Sequence, residues 1–216
     1  MEPFLETRRL RLRPFTDGED EVARVVALDN DPSVRRFIDG GLPVSAGTVR
    51  GATLPRLLGP GFRAAEERTT GAWLGWFCLA PRPAPEPGGA PDWRVVELGY
   101  RLRRAAWGRG YATEGARALV RTAFTVLGAE RVTAQTMTVN TGSRRVLEKA
   151  GLRYVRTFFE EWPETIEGSE HGDVAYELTR GEWEEAGPRP RAWQAPCPRS
   201  PLPSSRGSVP DDRMST

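Results

Sequence analysis

One short segment, residues 103–114, constrains what this chain can fold into more than any other. A strand-like run over residues 93–102 leads into it, and an amphipathic helix over about residues 110–127 follows it. Gly108 and Gly110 let the backbone approach a ligand closely, because neither has a Cβ. The first N–H groups of a helix have no partner within the helix, and the helix dipole adds positive charge there. The pattern indicates either an anion site or a plain tight turn with a helix cap.

Two well-known glycine motifs do not fit this segment. A Walker loop is excluded because no Gly-Lys-Ser/Thr follows the glycines. The dinucleotide-binding fingerprint is excluded because Thr113 stands where that motif requires a third glycine. Spacing alone therefore leaves the role of the segment open.

Charge and composition exclude several classes of function. The 216 residues carry 31 basic and 29 acidic side chains, so the net charge is too small for a protein that coats nucleic acid. With one histidine, His171, and two cysteines in unrelated contexts, we expect neither a metal centre nor a disulfide framework. The chain shows no apolar leader and no apolar run of about 18 residues, so we expect a cytoplasmic protein with no membrane partner.

Apolar periodicity predicts an α/β fold with a mixed sheet. The elements run β-α-α-ββ-β-α-β-α-ββ, with a single first strand over residues 5–15. Gly99, inside the strand before the turn, predicts a β-bulge that would free backbone groups for a ligand. The Pro- and Gly-rich residues 80–92 are interpreted as a flexible insertion between strands. Residues 187–216 are interpreted as a disordered tail, which leaves residues 1–186 as the folded domain.

A series of motifs follows in a fixed order along the chain. They are Glu-Leu-Gly-Tyr at residues 97–100, Trp-Gly-Arg-Gly-Tyr-Ala-Thr-Glu at 107–114, Asn-x-x-Ser at 140–143 and Val-Leu-Glu-Lys-Ala-Gly-Leu at 146–152. Over about residues 5–184 the chain resembles the GNAT superfamily of acyl-CoA-dependent N-acetyltransferases. Within it, the chain most resembles the branch that contains the ribosomal-protein alanine N-acetyltransferases.

This resemblance implies a mixed sheet of six to seven strands with about four helices, splayed open at a bulge near residues 98–101. It implies acetyl-CoA as cosubstrate and no metal, with the pantetheine arm on the splayed strand and the pyrophosphate on the following turn. The residues assigned to cofactor binding are Tyr100, Arg101, Leu102, Trp107, Gly108, Arg109, Gly110, Tyr111, Ala112, Thr113 and Asn140. Arg103 and Arg104 are further candidates for the CoA phosphates. Trp107 stands where the superfamily often has Gln or Arg, and we interpret it as a mark of this branch.

The same resemblance assigns catalytic roles to two residues. Glu97 is the candidate general base, acting on the amine through water, and an ion pair with an arginine on the strand face is the alternative. Ser143 is the candidate acid toward the CoA sulfur, because the tyrosine that more commonly has this role is replaced by Leu147. The alternative for Ser143 is a helix N-cap. Glu114 is interpreted as a favourable charge in the first helical turn.

The acidic connection at residues 160–173 bears on the acceptor. It carries six acids and neither Lys nor Arg, and the resemblance places it on the acceptor side. A negative rim concentrates a cationic amine, although a solvated loop gives the same pattern. We therefore expect an amine acceptor with positive charge, such as a basic peptide N-terminus, a polyamine or an aminosugar.

Three functions remain open at this point. The sequence favours the first, acetyl transfer to a protein or peptide α-amine, and the second is transfer to a small amine, including an antibiotic. The third is a module that binds acyl-CoA without catalysis. No nucleic-acid partner is expected, and homodimerisation is left open.

Overall fold

The backbone is organised around a mixed sheet of eight strands, in a computed structural model that describes residues 5–82, 89–159 and 166–187. The strands are β1 (Leu5–Glu6), β2 (Leu10–Arg13), β3 (Phe62–Glu67), β4 (Trp73–Arg82), β5 (Asp92–Leu102), β6 (Arg131–Met137), β7 (Arg153–Phe158) and β8 (Asp173–Thr179). They lie in the order β1-β2-β3-β4-β5-β6-β8-β7. β5 and β6 are parallel, and the other neighbouring pairs of the described sheet are antiparallel.

Helices cover both faces of this sheet, which confirms the predicted mixed α/β fold. They are α1 (Glu19–Asp29), α2 (Pro32–Arg35), α3 (Ala46–Thr48), α4 (Leu54–Leu57), α5 (Tyr111–Thr125), α6 (Thr141–Ala150) and α7 (Arg180–Glu185). A π-helical turn, Val49–Thr53, joins α3 to α4, and 3-10 turns occupy Arg104–Ala106 and Ser169–His171. Buried side chains of α5 and α6 pack on one face, and those of α1 and α4 pack on the other. We refer to these as the α5 side and the α1 side.

The first predicted strand, residues 5–15, is divided in two. The Thr7 N–H donates to the Leu10 carbonyl at 2.9 Å, and the Leu10 N–H donates to the Thr7 hydroxyl at 2.9 Å. These bonds close a tight turn, so that β1 folds back on β2 with Leu5 opposite Leu12. The described sheet therefore has eight strands, where the resemblance implies six to seven.

The sheet opens between its parallel neighbours, β5 and β6. Residues 95–97 pair with residues 131–133, and the pairing ends there although both strands continue. β5 runs on to Leu102 and β6 to Met137. A gap therefore forms between the carboxyl ends of the two strands, as the resemblance implies.

The gap does not come from the bulge predicted at Gly99, and that prediction is wrong. The pairing of β4 with β5 keeps one register from residue 75 to residue 81 and shifts between Pro81 and Arg82. A Cβ on Gly99 would lie 2.8 Å from the sulfur of Cys78, the residue paired with it. Glycine is needed there because the sulfur fills the space. The sheet opens because β6 diverges from a regular β5.

Part of the insertion predicted at residues 80–92 is strand. β4 extends to Arg82 and β5 begins at Asp92, while residues 83–88 lie outside the described residues. Pro81 is tolerated in β4 because the ladder with β3 has already ended, at the pair of Phe62 with Cys78. The N–H that proline lacks is therefore on an edge that β3 does not reach.

A short helix, α7, follows the last strand and is missing from the predicted element order. The Thr179 hydroxyl accepts from the Glu182 N–H and the Glu182 carboxylate accepts from the Thr179 N–H, which is a capping box. The domain boundary near residue 186 stays a prediction, since residues 1–4 and 188–216 lie outside the described residues. Among the described helices, none combines the length and the apolar character needed to cross a membrane.

The N-terminus of α5 is held in place by Glu114. Its carboxylate accepts hydrogen bonds from the Thr7 hydroxyl at 2.6 Å, from the Arg9 backbone N–H at 2.8 Å and from Arg9 Nε at 2.7 Å. Burial acts to raise the pKa of Glu114, but these bonds outweigh burial and the pKa is lowered. The first turn of α5 is thereby attached to the turn between β1 and β2.

Replacing Glu114 by glutamine tests this attachment. Loss of the charged acceptor is expected to lower the free energy of unfolding by about 1–3 kcal/mol near neutral pH. Because the folded pKa lies below the unfolded value of about 4.3, the stabilisation is present above that pH and is lost as the pH falls through the folded pKa. Chemical denaturation of the wild type and of Glu114→Gln as a function of pH measures the difference.

Glu184→Gln is the control for this experiment. The Glu184 side chain is 57% exposed and lies 3.8 Å from Arg180, so the pair should contribute at most about 1 kcal/mol. Equal effects of the two substitutions, or a Glu114→Gln effect that persists unchanged into acid, would contradict the attachment described here.

Candidate active site

A cleft of about 1450 Å³ occupies the gap between β5 and β6. On the α5 side its walls are the turn before α5 and one face of α6. On the α1 side its walls are side chains of β4 and β5 together with residues after α1, such as Val34 and Phe37. The cleft therefore gives a ligand access to both faces of β5.

The turn before α5 presents its backbone to the cleft. Gly108 and Gly110 have φ angles of +70° and +81°, in the left-handed region that glycine adopts without strain. The helix begins at Tyr111, so its first N–H groups, which lack partners within the helix, lie at this wall. These groups and the positive end of the helix dipole form a site suited to an anion.

Nine of the eleven residues assigned to cofactor binding line the cleft. They are Tyr100, Arg101, Leu102, Trp107, Gly108, Gly110, Ala112, Thr113 and Asn140. The side chains of Arg109 and Tyr111 point elsewhere: the Tyr111 ring is buried, its hydroxyl donates to Glu67 at 2.5 Å, and the Arg109 guanidinium lies 5.3 Å from the ring centroid. The side chains of these two residues therefore do not line the cleft.

The backbone of β5 alternates in direction between its two neighbours. The Arg103 N–H donates to the Leu74 carbonyl at 2.9 Å, so odd-numbered residues in this stretch of constant register face β4. Even-numbered residues face the other way, and beyond residue 97 that edge opens on the cleft. Backbone groups of Tyr100 and Leu102 are therefore directed into the gap, where the Leu102 carbonyl accepts from Trp107 Nε1 at 2.7 Å. A chain that carries amides can pair with such an edge as an added strand does.

Asn140, and not Ser143, caps α6. The Asn140 side chain accepts from the Ser143 N–H at 3.1 Å, so the N-cap alternative for Ser143 is wrong. The Ser143 hydroxyl lies instead 3.0 Å from the Tyr100 hydroxyl, which is also 3.2 Å from the Ser143 carbonyl oxygen. Burial raises the pKa of Tyr100 to about 12, against the opposite effect of the Ser143 hydrogen bond, so the phenol is protonated at neutral pH.

Glu97 lines the cleft on the α1 side, on the opposite face of β5 from Tyr100. Cys78, on the paired strand, lies close to it: burial, and then the Glu97 carboxylate, raise the pKa of the Cys78 thiol to about 12. The thiol is therefore protonated at neutral pH and is a poor nucleophile. The carboxylate at this place suits proton transfer to or from a bound ligand.

Arg101 is directed to the α1 side, away from the anion site. Its guanidinium pairs with the buried carboxylate of Asp29, at the end of α1, and lies over Trp76 at 5.3 Å from the ring centroid. Because the backbone of Arg101 faces β4, neither its side chain nor its backbone is directed to the α5 side. The structure thus separates Arg101 from the other residues assigned to the cofactor.

Several cationic side chains that line the cleft were given no role by the sequence analysis. On the α5 side, Arg145 and Lys149 of α6 join Arg104, which the sequence already suggested. Their spacing of four residues puts Arg145 and Lys149 on one face of the helix, a signal that could have indicated them. On the α1 side, Arg36 and Arg56 line the cleft.

The acidic connection at residues 160–173 is described only from residue 166 onward. Glu167 Oε1 pairs with Arg36 Nη2 at 2.6 Å, and Glu170 and Asp173 also line the cleft. The charge of Glu167 is therefore compensated. In the described ranges, no group of three or more His, Cys, Asp or Glu side chains is arranged to hold a metal ion.

Comparison with known families decides what the cleft belongs to. A family model described as the acetyltransferase (GNAT) domain matches residues 9–153. The chain belongs to the GNAT acetyltransferase family. A curated relative from Aspergillus fumigatus, FsC-acetyl coenzyme A-N(2)-transacetylase, is 37% identical to this GNAT chain over 190 residues, which span 84% of this chain and 78% of the relative.

Solved structures of GNAT proteins share the fold. A GNAT-family acetyltransferase from Bacillus anthracis has a TM-score of 0.66 at 21% identity, over 83% of this chain and 100% of that chain. A spermidine N-acetyltransferase from Vibrio cholerae, in complex with CoA and spermine, has a TM-score of 0.64 at 14% identity, over 82% and 99%. At these identities the likeness concerns the fold. Family membership and the curated relative make this GNAT protein an N-acetyltransferase that uses acetyl-CoA.

Gly108→Ala tests whether acetyl-CoA contacts the turn of this GNAT enzyme. A Cβ at Gly108 meets no protein atom within 4 Å, so what it can displace is a ligand. We expect the Kd of CoA, measured by calorimetry, to rise about tenfold or more, which corresponds to about 1.4 kcal/mol.

Gly128→Ala is a closely matched control. Its φ of +71° nearly equals the +70° of Gly108, and its Cβ also meets nothing within 4 Å. Both substitutions cost about 1–2 kcal/mol of left-handed strain, but Gly128 lies beyond the other end of α5. An unchanged Kd for Gly108→Ala, or an equal change for both variants, would exclude contact between CoA and the turn.

Proposed function

We propose that this GNAT enzyme acetylates the primary amine of a small molecule that carries a carbonyl, carboxylate or similar oxygen group close to the amine. The supporting observation is the mixed charge of the cleft on the α1 side, where Arg36, Arg56 and Arg101 lie with Glu97 and Glu170. Two of these arginines are already paired, Arg36 with Glu167 and Arg101 with Asp29, so Arg56 and the two carboxylates set the charge of this side. An amino-acid derivative matches both signs of charge, whereas a polyamine matches only the carboxylates. The name of the curated relative, an N(2)-transacetylase, agrees with a defined nitrogen of this kind.

The donor is proposed to lie on the α5 side of the cleft. The turn at residues 108–113 offers backbone N–H groups to the pyrophosphate. The pantetheine amides pair with the edge of β5 at Tyr100 and Leu102, as the direction of the backbone there allows. Arg145 and Lys149 supply positive charge for the remaining phosphate of CoA.

Glu97 is the proposed general base. An ammonium group has no lone pair, so the acceptor amine must lose a proton before it attacks the thioester. Glu97 lies on the α1 side of the gap through which the thioester is reached, and it acts on the amine through water. Such proton transfer contributes about 10²–10⁴-fold to the rate. The protonated thiol of Cys78 beside it favours direct transfer over an acetyl-cysteine intermediate.

Ser143 is the proposed hydrogen-bond donor to the departing sulfur. It lines the cleft on the other face of β5 from Glu97. Because Asn140 caps α6, the Ser143 hydroxyl is not used as the helix cap. The base and the acid therefore approach the thioester from opposite faces of one strand. The carbonyl of the Asn140 side chain is used in the cap, which leaves its amide nitrogen for the ligand.

A protein or peptide α-amine is the second candidate acceptor. The motifs at residues 97–100 and 107–114 resemble those of the ribosomal-protein alanine N-acetyltransferases, and an α-amine also lies next to a carbonyl. A cationic peptide finds negative charge at Glu170 and Asp173, although Arg36 compensates Glu167.

Thiol release from acetyl-CoA across a panel of amines tests the acceptor. The panel contains an amino-acid amide, a short peptide with a free N-terminal alanine, spermidine and glucosamine. We expect the highest kcat/KM with the amino-acid amide. A higher value with the peptide would favour the second candidate, and turnover confined to spermidine or glucosamine would contradict both.

Glu97→Gln tests the proposed base. We expect kcat/KM near neutral pH to fall by about 10²-fold or more. The deficit should shrink as the pH approaches the pKa of the amine, about 8–10, because the amine then loses its proton without help. Glu177→Gln is the control, since Glu177 is a strand carboxylate that pairs with Arg131 at 3.1 Å and does not line the cleft. If the two variants behave alike, or if the deficit is the same at every pH, Glu97 is not the base.

A further inference from the structure

A pair of hydroxyl groups joins β5 to α6 across the α5 side of the cleft. The Tyr100 hydroxyl lies 3.0 Å from Ser143 Oγ, and both residues line the cleft. The Tyr100 ring packs against buried Phe77, with 5.9 Å between the ring centroids, so its direction is fixed by the core. This contact joins residues 43 positions apart in the chain, and no sequence motif predicts it.

The hydrogen atoms of this pair have two arrangements that the surrounding bonds allow. The Ser143 N–H is taken by Asn140, and by the i→i−4 pattern of an α-helix the Ser143 carbonyl faces the Leu147 N–H. The Tyr100 hydroxyl has one hydrogen and two acceptors within reach, the Ser143 carbonyl at 3.2 Å and Ser143 Oγ at 3.0 Å. When Tyr100 donates to the carbonyl, Ser143 Oγ donates to Tyr100. When Tyr100 donates to Oγ, the hydrogen of Ser143 is left to point into the cleft.

We propose that Tyr100 is a positioning residue, which orients the Ser143 hydroxyl so that Ser143 donates a hydrogen bond to the CoA sulfur as the carbon–sulfur bond breaks. This role rests on the proposed function, in which Ser143 is the donor to that sulfur. A tyrosine on α6 would donate to the sulfur directly. Here Ser143 is the donor, and Tyr100 supplies a second hydroxyl that orients it. Leu147, which stands at that position, is packed in the core instead.

The chemistry of the step balances without proton loss from Tyr100. The amine nitrogen forms a bond to the thioester carbon, the carbon–sulfur bond breaks, and its electron pair stays on sulfur. The proton of the amine leaves through Glu97 and water. The pKa of Tyr100, about 12, lies above that of a thiol, about 8.5, so Tyr100 keeps its proton. Ser143 stabilises the thiolate by its hydrogen bond, and water in the open cleft supplies the proton that makes free CoA thiol.

Tyr176 provides a matched control. It is a buried tyrosine whose hydroxyl also bonds to α6, donating to Glu148 Oε1 at 3.1 Å and accepting from Arg144 Nε at 3.1 Å. Unlike Tyr100, it does not line the cleft. Tyr176→Phe therefore removes a comparable hydrogen bond to the same helix without touching the proposed site.

The test is a double-mutant cycle with Tyr100→Phe and Ser143→Ala, measured as kcat and KM with saturating amine acceptor from the panel. Ser143→Ala should lower kcat by about 10²-fold, and Tyr100→Phe should lower it about tenfold, with KM for acetyl-CoA changed less than twofold. The double variant should match Ser143→Ala, because Tyr100 acts through Ser143. Tyr176→Phe should stay within twofold of the wild type. Melting temperature and the Kd of CoA establish that each variant is folded.

Three outcomes would overturn the inference. One is a Tyr100→Phe defect of full size in the Ser143→Ala background, which would show that Tyr100 acts independently of Ser143. Another is an unchanged kcat in Tyr100→Phe. The third is a defect confined to KM or to the Kd of CoA, which would make Tyr100 a binding residue. Failure of the wild type to release thiol with any amine of the panel would instead contradict the proposed function. That result is distinct from the three outcomes above, which all require an active wild type.

Discussion

The structure depends on a difference in hydrogen-bond pairing between the two edges of β5. On one edge β4 follows it in constant register through residues 96–102, and on the other β6 leaves it after residue 97. Backbone N–H and C=O groups of a strand need partners, so the second edge favours a ligand that carries amides. The same divergence opens the sheet from face to face. Glu97 can therefore act from the α1 side and Ser143 from the α5 side of one bound thioester.

The anion site depends in turn on how α5 is attached. Glu114 is bonded to Thr7 and Arg9 in the turn between β1 and β2, and the Tyr111 hydroxyl is bonded to Glu67 at the end of β3, so the first turn of the helix is attached to the sheet at two places. The helix fixed in this way follows directly on the turn at Gly108 and Gly110. Their left-handed backbone brings the N–H groups to the cleft, where a phosphate can approach them.

Local features of the site could be predicted from the sequence. Features that depend on which face of a strand a residue occupies could not. The glycine turn and the amphipathic helix after it depend on residues that are neighbours in the sequence, and the structure has both. The gap between β5 and β6 was also expected, but its predicted cause, a bulge at Gly99, was wrong. Gly99 is there because the sulfur of Cys78, on another strand, fills the space of a Cβ. The side on which Arg101 lies, and the contact between Tyr100 and Ser143, follow from which face of β5 each residue occupies.

Residue type alone also misassigns roles that geometry separates. Asn140 and Ser143 are both good helix caps, and only the bond from the Ser143 N–H to the Asn140 side chain distinguishes them. By contrast, the capping box of Thr179 and Glu182 is a pattern readable in the sequence, and α7 could have been predicted from it.

Hydrogen exchange of single backbone amides, measured by NMR with and without CoA, tests the central claim most directly. The amides of Tyr100 and Leu102 face the gap, while those of Gly99 and Arg101 face β4. If CoA lies along the open edge of β5, the first pair should become protected when CoA binds, together with amides of residues 108–113, and the second pair should be protected in both states. Binding of CoA without a change at Tyr100 and Leu102, or with equal changes at all four amides, would contradict the account.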